Sequence, residues 1–162
     1  MTIRRVLMVC MGNICRSPTA EAVLRHKLRE AGLEGVVTVD SAGTHGHWHA
    51  GEAPDRRSQA HAARRGYDLS GLRARQVVDA DFDQFDLILA MDWDNLALLE
   101  DMCPPPARAR LRRLTEHCRR RASPVVPDPY SGGVDDFEQV LDLVEDACDG
   151  LVDLLRRQDR AA

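Results

Sequence analysis

Hydrophobic and polar residues follow two different periods along the chain. Short apolar or β-branched runs predict strands over 4–9, 36–40, 86–91 and 110–114. Longer segments predict helices over 18–31, 55–65, 92–101 and 135–157, with a helical turn over 79–85. In the last helix, apolar residues recur at helical spacing from Phe137 to Leu155. Strands that alternate with helices are typical of an α/β fold with a mostly parallel sheet.

Several helix ends are marked by residues that start or stop a helix. Ser17 is predicted to cap the first helix, with Pro18 at its first position, and Gly32 is predicted to end it. Asp55 is predicted to cap the second helix, which Gly66 closes. Parallel sheets bind ligands at the carboxyl ends of strands, so the loop after the first strand is the expected site.

Length, charge and cysteine usage narrow the class of protein. The 162 residues suit one domain, so 1–162 is predicted to be a single domain. A net charge of −4 predicts no bulk attraction to nucleic acid or anionic lipid, and the arginines of 108–121 are predicted to form a solvated face. No apolar run approaches the ~20 residues that cross a bilayer, and the N-terminal run is too short for a secretory signal. Five cysteines without a Cys-x-x-Cys pair predict reduced thiols in a cytoplasm.

The loop after the first strand carries the most chemistry. Residues 10–18 are C-M-G-N-I-C-R-S-P, which places Cys10 and Arg16 six positions apart around Gly12. The pKa of a cysteine thiol falls near arginine and at a helix N-terminus. Glycine lets successive N–H groups turn toward an anion, and the arginine fork matches two phosphate oxygens. Ser17 can donate a hydrogen bond to the thiolate. These features predict a phosphate-binding loop in which Cys10 attacks phosphorus and forms a phosphocysteine.

Spacing alone does not establish this site. A chain of this composition contains about 0.65 Cys-x5-Arg matches by chance. The context favours a phosphate-binding loop, because the match follows an apolar run and is followed by Ser17 and Pro18. The alternative is a buried cysteine in an ordinary strand-to-helix turn.

A leaving phenolate needs a proton, so the chemistry also requires a carboxylic acid. Asp128 is the best local candidate, because Pro127 and Pro129 stiffen its loop and Tyr130 lies beside it. A bound phosphate dianion would favour the acid form of such a group. The alternative is an ordinary turn aspartate before proline.

Further motifs recur along nearly the whole chain. They are V-D-S-A-G-T at 39–44, A-R-Q at 74–76, A-M-D at 90–92 with Asn95, and D-P-Y at 128–130 followed by D-D-F-E at 135–138. Together with V-C-M-G-N-I-C-R-S-P at 9–18, they make the chain resemble the bacterial low-molecular-weight protein tyrosine phosphatases. The resemblance implies a single-domain three-layer α/β/α fold, with a four-stranded parallel sheet and a phosphate-binding loop after the first strand.

The resemblance also implies roles for individual residues. The nucleophile, phosphate clamp and general acid/base would be Cys10, Arg16 and Asp128. The loop that binds phosphate, or another oxyanion, would comprise Met11, Gly12, Asn13, Ile14, Cys15, Arg16 and Ser17. The loop would be supported by Asn13, Ser17, Ser41 and Asp92, and the substrate rim would contain Trp48 and Tyr130. Cys15 would form a reversible disulfide with Cys10; the alternative is that only its backbone N–H matters.

The resemblance further implies the reaction partners. The substrate would be a phosphotyrosine-containing protein, for which a bacterial tyrosine kinase is one candidate. No cofactor, metal, nucleic acid or membrane is expected.

His45, His47 and His49 would share one face of a strand and form a candidate metal site, but the adjacent glycines and the lack of carboxylate or thiolate ligands favour a loop without metal.

Two positions depart from the family pattern. Leu72 stands where many relatives carry a histidine that braces the loop, which leaves open what supports it here. Ser131 stands where many carry a second aromatic residue, which predicts a more open rim.

Three rival functions remain. An arsenate reductase on this scaffold needs an additional cysteine pair, and residues 82–89 contain none. A protein-arginine phosphatase tends to carry threonine where this chain has Ile14. A non-enzymatic anion-binding module would not require Cys10, Arg16 and Asp128 together.

Overall fold

A four-stranded parallel sheet lies at the centre of the computed structural model, which describes residues 2–162. The strands are β1 (Arg5–Cys10), β2 (Thr38–Gly43), β3 (Leu87–Ala90) and β4 (Leu111–Arg113). Their order is β2-β1-β3-β4, and every neighbouring pair is parallel. The predicted sheet is therefore confirmed. The second strand begins and ends later than predicted and includes the small residues Ser41, Ala42 and Gly43.

Five α-helices occupy the positions where helical segments were predicted. They are α1 (Arg16–Glu30), α2 (Arg56–Arg64), α3 (Asp81–Gln84), α4 (Trp93–Met102) and α5 (Val134–Ala161). Three 3-10 helices were not predicted, at Gly46–His49, Pro105–Arg110 and Leu114–His117. Such short elements leave too few turns for a hydrophobic period to show in the sequence.

Helices cover both faces of the sheet and create two cores. Alternate side chains of β1 point to opposite faces. Val6 and Met8 pack with α1 and α5, whereas Leu7 and Val9 pack in a second cluster that includes Leu99 of α4. This arrangement confirms the three-layer α/β/α fold. No helix within residues 2–162 is both long enough and apolar enough to span a bilayer.

The start of α1 differs from the prediction. The helix begins at Arg16 with Cys15 at the N-cap, and no side chain caps it. The prediction that Ser17 caps the helix is wrong, because the Ser17 hydroxyl is engaged by Cys10 and Asn13 instead. Pro18 is tolerated in the first turn, where backbone N–H groups have no partner within the helix. At α2 the predicted cap is confirmed, since Asp55 accepts a hydrogen bond from the Arg57 backbone N–H at 2.8 Å.

The C-terminal helix also orders the arginine-rich segment of 108–121. Three of its exposed arginines pair with carboxylates of α5, as Arg119–Asp153, Arg120–Asp149 and Arg121–Asp142. The same helix passes very close to the 3-10 helix Leu114–His117. A Cβ at Gly150 would overlap the carbonyl oxygen of His117, so a side chain at this position would force the two elements apart.

Candidate active site

A cavity of about 270 Å³ opens at the carboxyl end of β1. The strand order changes there, because β2 lies on one side of β1 and β3 on the other. The predicted residues that line the cavity are Cys10, Met11, Gly12, Ile14, Cys15, Arg16, Trp48, Asp128 and Tyr130. The other predicted residues lie outside the lining. Ser17 and Asp92 bond to Cys10 and Arg16, and Asn13 bonds to Ser17 and Ser41.

Asn13 shapes the Cys10 loop, which we define as residues 10–16. Its φ of 58° makes it the one non-glycine residue within 2–162 with a positive φ, a conformation that asparagine tolerates better than most residues. Asn13 Nδ2 donates to Ser17 Oγ at 2.8 Å and to Ser41 Oγ at 3.0 Å. Asn13 Oδ1 accepts from the Arg75 backbone N–H at 2.9 Å. Both N–H groups and the oxygen of the amide are therefore engaged, which stabilises the unusual backbone of the loop.

The hydrogen bonds around Asn13 have one consistent direction. The Ser41 hydroxyl donates to Glu21 Oε1 at 2.6 Å. Asn13 then donates to the oxygens of Ser41 and Ser17. The Ser17 proton then has two acceptors within reach, Cys10 Sγ at 2.9 Å and the Ala42 carbonyl at 3.4 Å, and the contact with the sulfur is the shorter. A hydrogen bond donated to sulfur stabilises the thiolate that nucleophilic attack requires.

The sequence analysis did not predict two members of this network, Glu21 and the Arg75 backbone. Glu21 is buried on α1. The sequence indicated its role only by an acidic residue four positions after Ser17, one helical turn away. The Arg75 contact uses a backbone N–H, which no residue type could have indicated. Leu72 is partly buried and packs against the core, so this position gives an apolar contact. The polar support of the loop comes from Glu21 and Arg75.

Arg16 places a fixed positive charge beside the sulfur. Its guanidinium is almost fully buried, and its Nη1 donates to Asp92 Oδ2 at 2.6 Å and to the Val126 carbonyl at 3.0 Å. Burial alone would lower the pKa of Arg16, but the negative charges of Cys10 and Asp92 outweigh it and raise the pKa. The guanidinium is therefore held as a cation with one edge anchored.

Asp128 reaches the same cavity from a distant part of the chain. Its Oδ2 lies 3.8 Å from Arg16 Nη2, and its Oδ1 accepts from the Tyr130 backbone N–H at 3.1 Å. The side chain is about half exposed, at 47%. A carboxyl group in this position can exchange a proton with a bound ligand and with water.

The rim of the cavity is aromatic and open. Trp48 and Tyr130 line it and remain 59% and 54% exposed, so their rings have free faces. His49 also lines the cavity and was not predicted. Its ring lies against Gly12, where a Cβ would come within 3.1 Å of His49 Cδ2. The His49 Nδ1 bonds to Glu52 Oε2 at 2.7 Å.

The alternating histidines do not share a strand face. They lie at and within the 3-10 helix Gly46–His49, so the geometry assumed for a metal site is wrong. His45 stacks on Trp48 with ring centroids 4.5 Å apart, and a ring nitrogen of His47 lies 2.9 Å from Gln76 Oε1. Across residues 2–162, no three His, Cys, Asp or Glu side chains cluster in a way that could hold a metal ion.

Cys15 lies in the cavity wall as a buried free thiol. Burial raises its pKa to about 12, and the negative charges of Asp55 and Cys10 add to the increase while Ser58 opposes it. Cys15 therefore stays protonated at neutral pH. Its position beside Cys10 is compatible with both earlier interpretations, the disulfide partner and the small loop residue.

The cavity brings together four kinds of group with complementary chemistry. A cysteine sulfur and a buried cation line it, together with a more exposed carboxyl group and two exposed aromatic rings. Such a site can bind a tetrahedral oxyanion and attack it, while the carboxyl group protonates whatever leaves.

Comparison with known proteins gives one consistent result. The family model described as low molecular weight phosphotyrosine protein phosphatase matches residues 5–161. A low molecular weight protein-tyrosine-phosphatase of Streptomyces coelicolor is 45% identical over 157 residues, which cover 95% of this chain and 94% of that protein.

Solved structures agree with this match. A protein tyrosine phosphatase of Entamoeba histolytica, with Hepes in the active site, superposes with a TM-score of 0.92 at 39% identity, covering 96% of this chain and 99% of that one. The YfkJ protein of Bacillus subtilis superposes with a TM-score of 0.89 at 39% identity, covering 98% of both chains.

Proposed function

The chain belongs to the low molecular weight phosphotyrosine protein phosphatase family, and on this premise we propose that it hydrolyses phosphotyrosine in proteins. The observation that carries the proposal is the convergence of Cys10, Arg16 and Asp128 on one cavity, with Arg16 Nη2 3.8 Å from Asp128 Oδ2. These residues come from two segments more than a hundred positions apart. Their meeting is difficult to explain as an ordinary turn.

In the first step, the Cys10 thiolate attacks phosphorus and the bond to the phenolic oxygen breaks. Arg16 and the N–H groups of the Cys10 loop hold the equatorial oxygens, where negative charge accumulates. Asp128 delivers its proton to the departing phenolate oxygen. The products of this step are the free phenol and phospho-Cys10.

In the second step, water attacks phospho-Cys10. Asp128, now ionised, takes a proton from that water, and the sulfur–phosphorus bond breaks to release phosphate. The hydrogen bond from Ser17 stabilises the sulfur as it leaves as a thiolate, so the same contact assists both steps.

The walls of the cavity support an aryl phosphate as substrate. Ile14, Trp48 and Tyr130 supply apolar and aromatic surface against which a flat ring can pack. Ile14 also lacks a hydroxyl that could bind a guanidinium, which argues against phosphoarginine. For the arsenate rival, no cysteine other than Cys10 and Cys15 lines the cavity. A cytoplasmic location and a tyrosine kinase as partner remain predictions.

The test is turnover of para-nitrophenyl phosphate and phosphotyrosine peptides in the presence of a metal chelator. We expect Cys10→Ser to abolish turnover and Asp128→Asn to lower it by about 10²–10⁴-fold. Cys118→Ser and Asp159→Asn serve as matched controls and should retain wild-type activity. Wild-type turnover by Cys10→Ser would refute the mechanism. Normal turnover by Asp128→Asn on both substrates would refute only the assignment of the acid.

Further assays on the same protein distinguish the three rival functions. Phosphoarginine hydrolysis at a rate similar to that of phosphotyrosine, or arsenate reduction coupled to a thiol donor, would support the corresponding alternative. Phosphate binding without any turnover would support an anion-binding module.

A further inference from the structure

A continuous chain of contacts connects the Cys10 loop to the loop that carries Asp128. It begins at Ile14, whose carbonyl accepts a hydrogen bond from the Asp55 backbone N–H at 2.8 Å. The Asp55 carboxylate then binds the Arg57 guanidinium at two points, from Nε to Oδ1 at 3.2 Å and from Nη2 to Oδ2 at 3.0 Å. This fork-to-fork geometry holds the guanidinium in one orientation.

Arg57 carries the connection across to the acid loop. Its Nη2 donates to the Tyr130 carbonyl at 2.9 Å, and its guanidinium lies over the rings of Tyr130 and Phe137, at 5.5 and 4.6 Å from their centroids. The Tyr130 backbone N–H in turn donates to Asp128 Oδ1 at 3.1 Å. Arg57 thus binds the backbone of Tyr130, the residue whose N–H orients the Asp128 carboxyl group.

The side chain of Asp128 has few other contacts. Its side chain is half exposed, and its only further polar contact within residues 2–162 is the long pair with Arg16 at 3.8 Å. On its C-terminal side the loop is anchored at Gly133, whose N–H donates to Asp136 Oδ2 at 2.8 Å. That anchor lies beyond Tyr130, so it limits only where the loop ends. On the N-terminal side, the Val126 N–H donates to the Met91 carbonyl at 2.7 Å, and the Val126 carbonyl accepts from Arg16 Nη1 at 3.0 Å. Both anchors lie outside the segment 128–130, which Arg57 contacts at Tyr130.

We propose that Arg57 is a positioning residue for Asp128. By joining Asp55 to Tyr130, it fixes the C-terminal side of the general acid relative to the nucleophile loop, while the Arg16–Val126 contact fixes the N-terminal side. The inference rests on the proposed function, because it requires Asp128 to act as the general acid. It assigns no chemical step to Arg57 itself. Asp55 is suited to this role. Burial alone would raise its pKa, but the Arg57 donors outweigh that effect and lower it, so the pair stays ionised in mildly acidic solution.

Leaving-group dependence separates positioning of the acid from general support. A phenol with a pKa of about 10 must be protonated as it leaves, whereas a strongly acidic dinitrophenol leaves readily as an anion. If Arg57 places Asp128, its loss should reduce kcat/KM for phenyl phosphate and have little effect on 2,4-dinitrophenyl phosphate. A general distortion of the cavity would reduce both by the same factor.

The experiment compares the two substrates in wild type, Arg57→Ala and Asp128→Asn. For Arg57→Ala we expect about a tenfold loss of kcat/KM on phenyl phosphate and less than about a threefold loss on the dinitrophenyl ester. Arg57→Lys retains one donor for the Tyr130 carbonyl and should fall between wild type and Arg57→Ala. Arg56→Ala is the matched control, because the Arg56 side chain is exposed and makes no hydrogen bond or ion pair with any residue of 2–162.

A double variant completes the test. Once Asp128→Asn has removed the acid, Arg57→Ala should cause no further leaving-group-dependent loss. Equal losses on both substrates in Arg57→Ala, or no loss on either, would overturn the inference while leaving the proposed function intact. If Asp128→Asn itself shows no leaving-group dependence, the proposed acid is wrong and the inference falls with it.

Discussion

Asp146 offers the sharpest test of how α5 holds the rest of the molecule. Its carboxylate is buried, at 1% exposure, and accepts hydrogen bonds from three consecutive backbone N–H groups. The distances are 3.2 Å from Arg119, 3.0 Å from Arg120 and 2.8 Å from Arg121. The turn that follows the 3-10 helix Leu114–His117 therefore closes around a side chain of α5 in the manner of an anion nest.

Asp146→Asn keeps the shape of the side chain and replaces one acceptor oxygen by an NH₂ group that faces backbone donors. At least one donor of the turn loses its acceptor, which costs about 1–3 kcal/mol, and the remaining bonds lose their charge assistance. We expect the free energy of unfolding to fall by about 2–4 kcal/mol. For a chain of this size, that is a loss of roughly 6–12 °C in Tm.

The pH dependence follows from the direction of the pKa shift. Burial alone would raise the pKa of Asp146, but the three backbone donors outweigh it, and the pKa in the folded state is lowered. Its stabilising contribution is therefore fully present above the ordinary value of about 4 and is lost as the pH falls through the lowered value. The gap between wild type and variant should be constant near neutral pH and shrink in acid.

Urea unfolding followed by circular dichroism at several pH values measures this gap directly. Asp159→Asn is the matched control, since it makes the same exchange on an exposed position of α5 and should change stability by less than about 0.5 kcal/mol. A change in Asp146→Asn no larger than that of the control, or a gap that widens in acid, would refute the reasoning.

Three further predictions concern single contacts. Gly150→Ala would normally stabilise a helix interior by about 1 kcal/mol, but the overlap with the neighbouring carbonyl should destabilise the protein by about 1–3 kcal/mol; a variant more stable to urea would contradict this. Mild peroxide should inactivate the enzyme reversibly, and Cys15→Ser should make the loss harder to reverse with a thiol reductant if Cys15 condenses with oxidised Cys10; equal recovery in both proteins would count against a disulfide. Asp92→Asn removes the charge beside Arg16 and leaves one acceptor oxygen for two donors, Arg16 Nη1 at 2.6 Å and the Asn95 N–H at 2.7 Å, so kcat/KM for para-nitrophenyl phosphate should fall by about tenfold or more; an unchanged value would show that Arg16 needs no such anchor.

Residue patterns of short range gave the most reliable predictions. The last helix was predicted over 135–157 and extends over Val134–Ala161, because a hydrophobic stripe repeated over many turns is a strong local signal. The N-cap at Asp55 was likewise predictable, since the cap and its donor lie two positions apart. Ser17 shows the limit of the same reasoning. Serine often caps a helix, and Ser17 lies near the start of α1, but its hydroxyl contacts Cys10 instead.

The amino-acid sequence by itself determined the α/β class and the Cys10 loop, because strand, loop and helix follow one another within a few residues and require no distant partner. Local context and the family resemblance also indicated Asp128 as the acid that would meet Arg16, but gave no distances and did not indicate the roles of Glu21 and Arg57. Only the tertiary structure brought Asp128 to Arg16, placed Glu21 behind Ser41, and set Arg57 between the two loops. Hydrophobic periodicity encodes which face of an element is buried. The choice of polar partners across the cavity depends on how whole layers pack, and that information is distributed over the entire core.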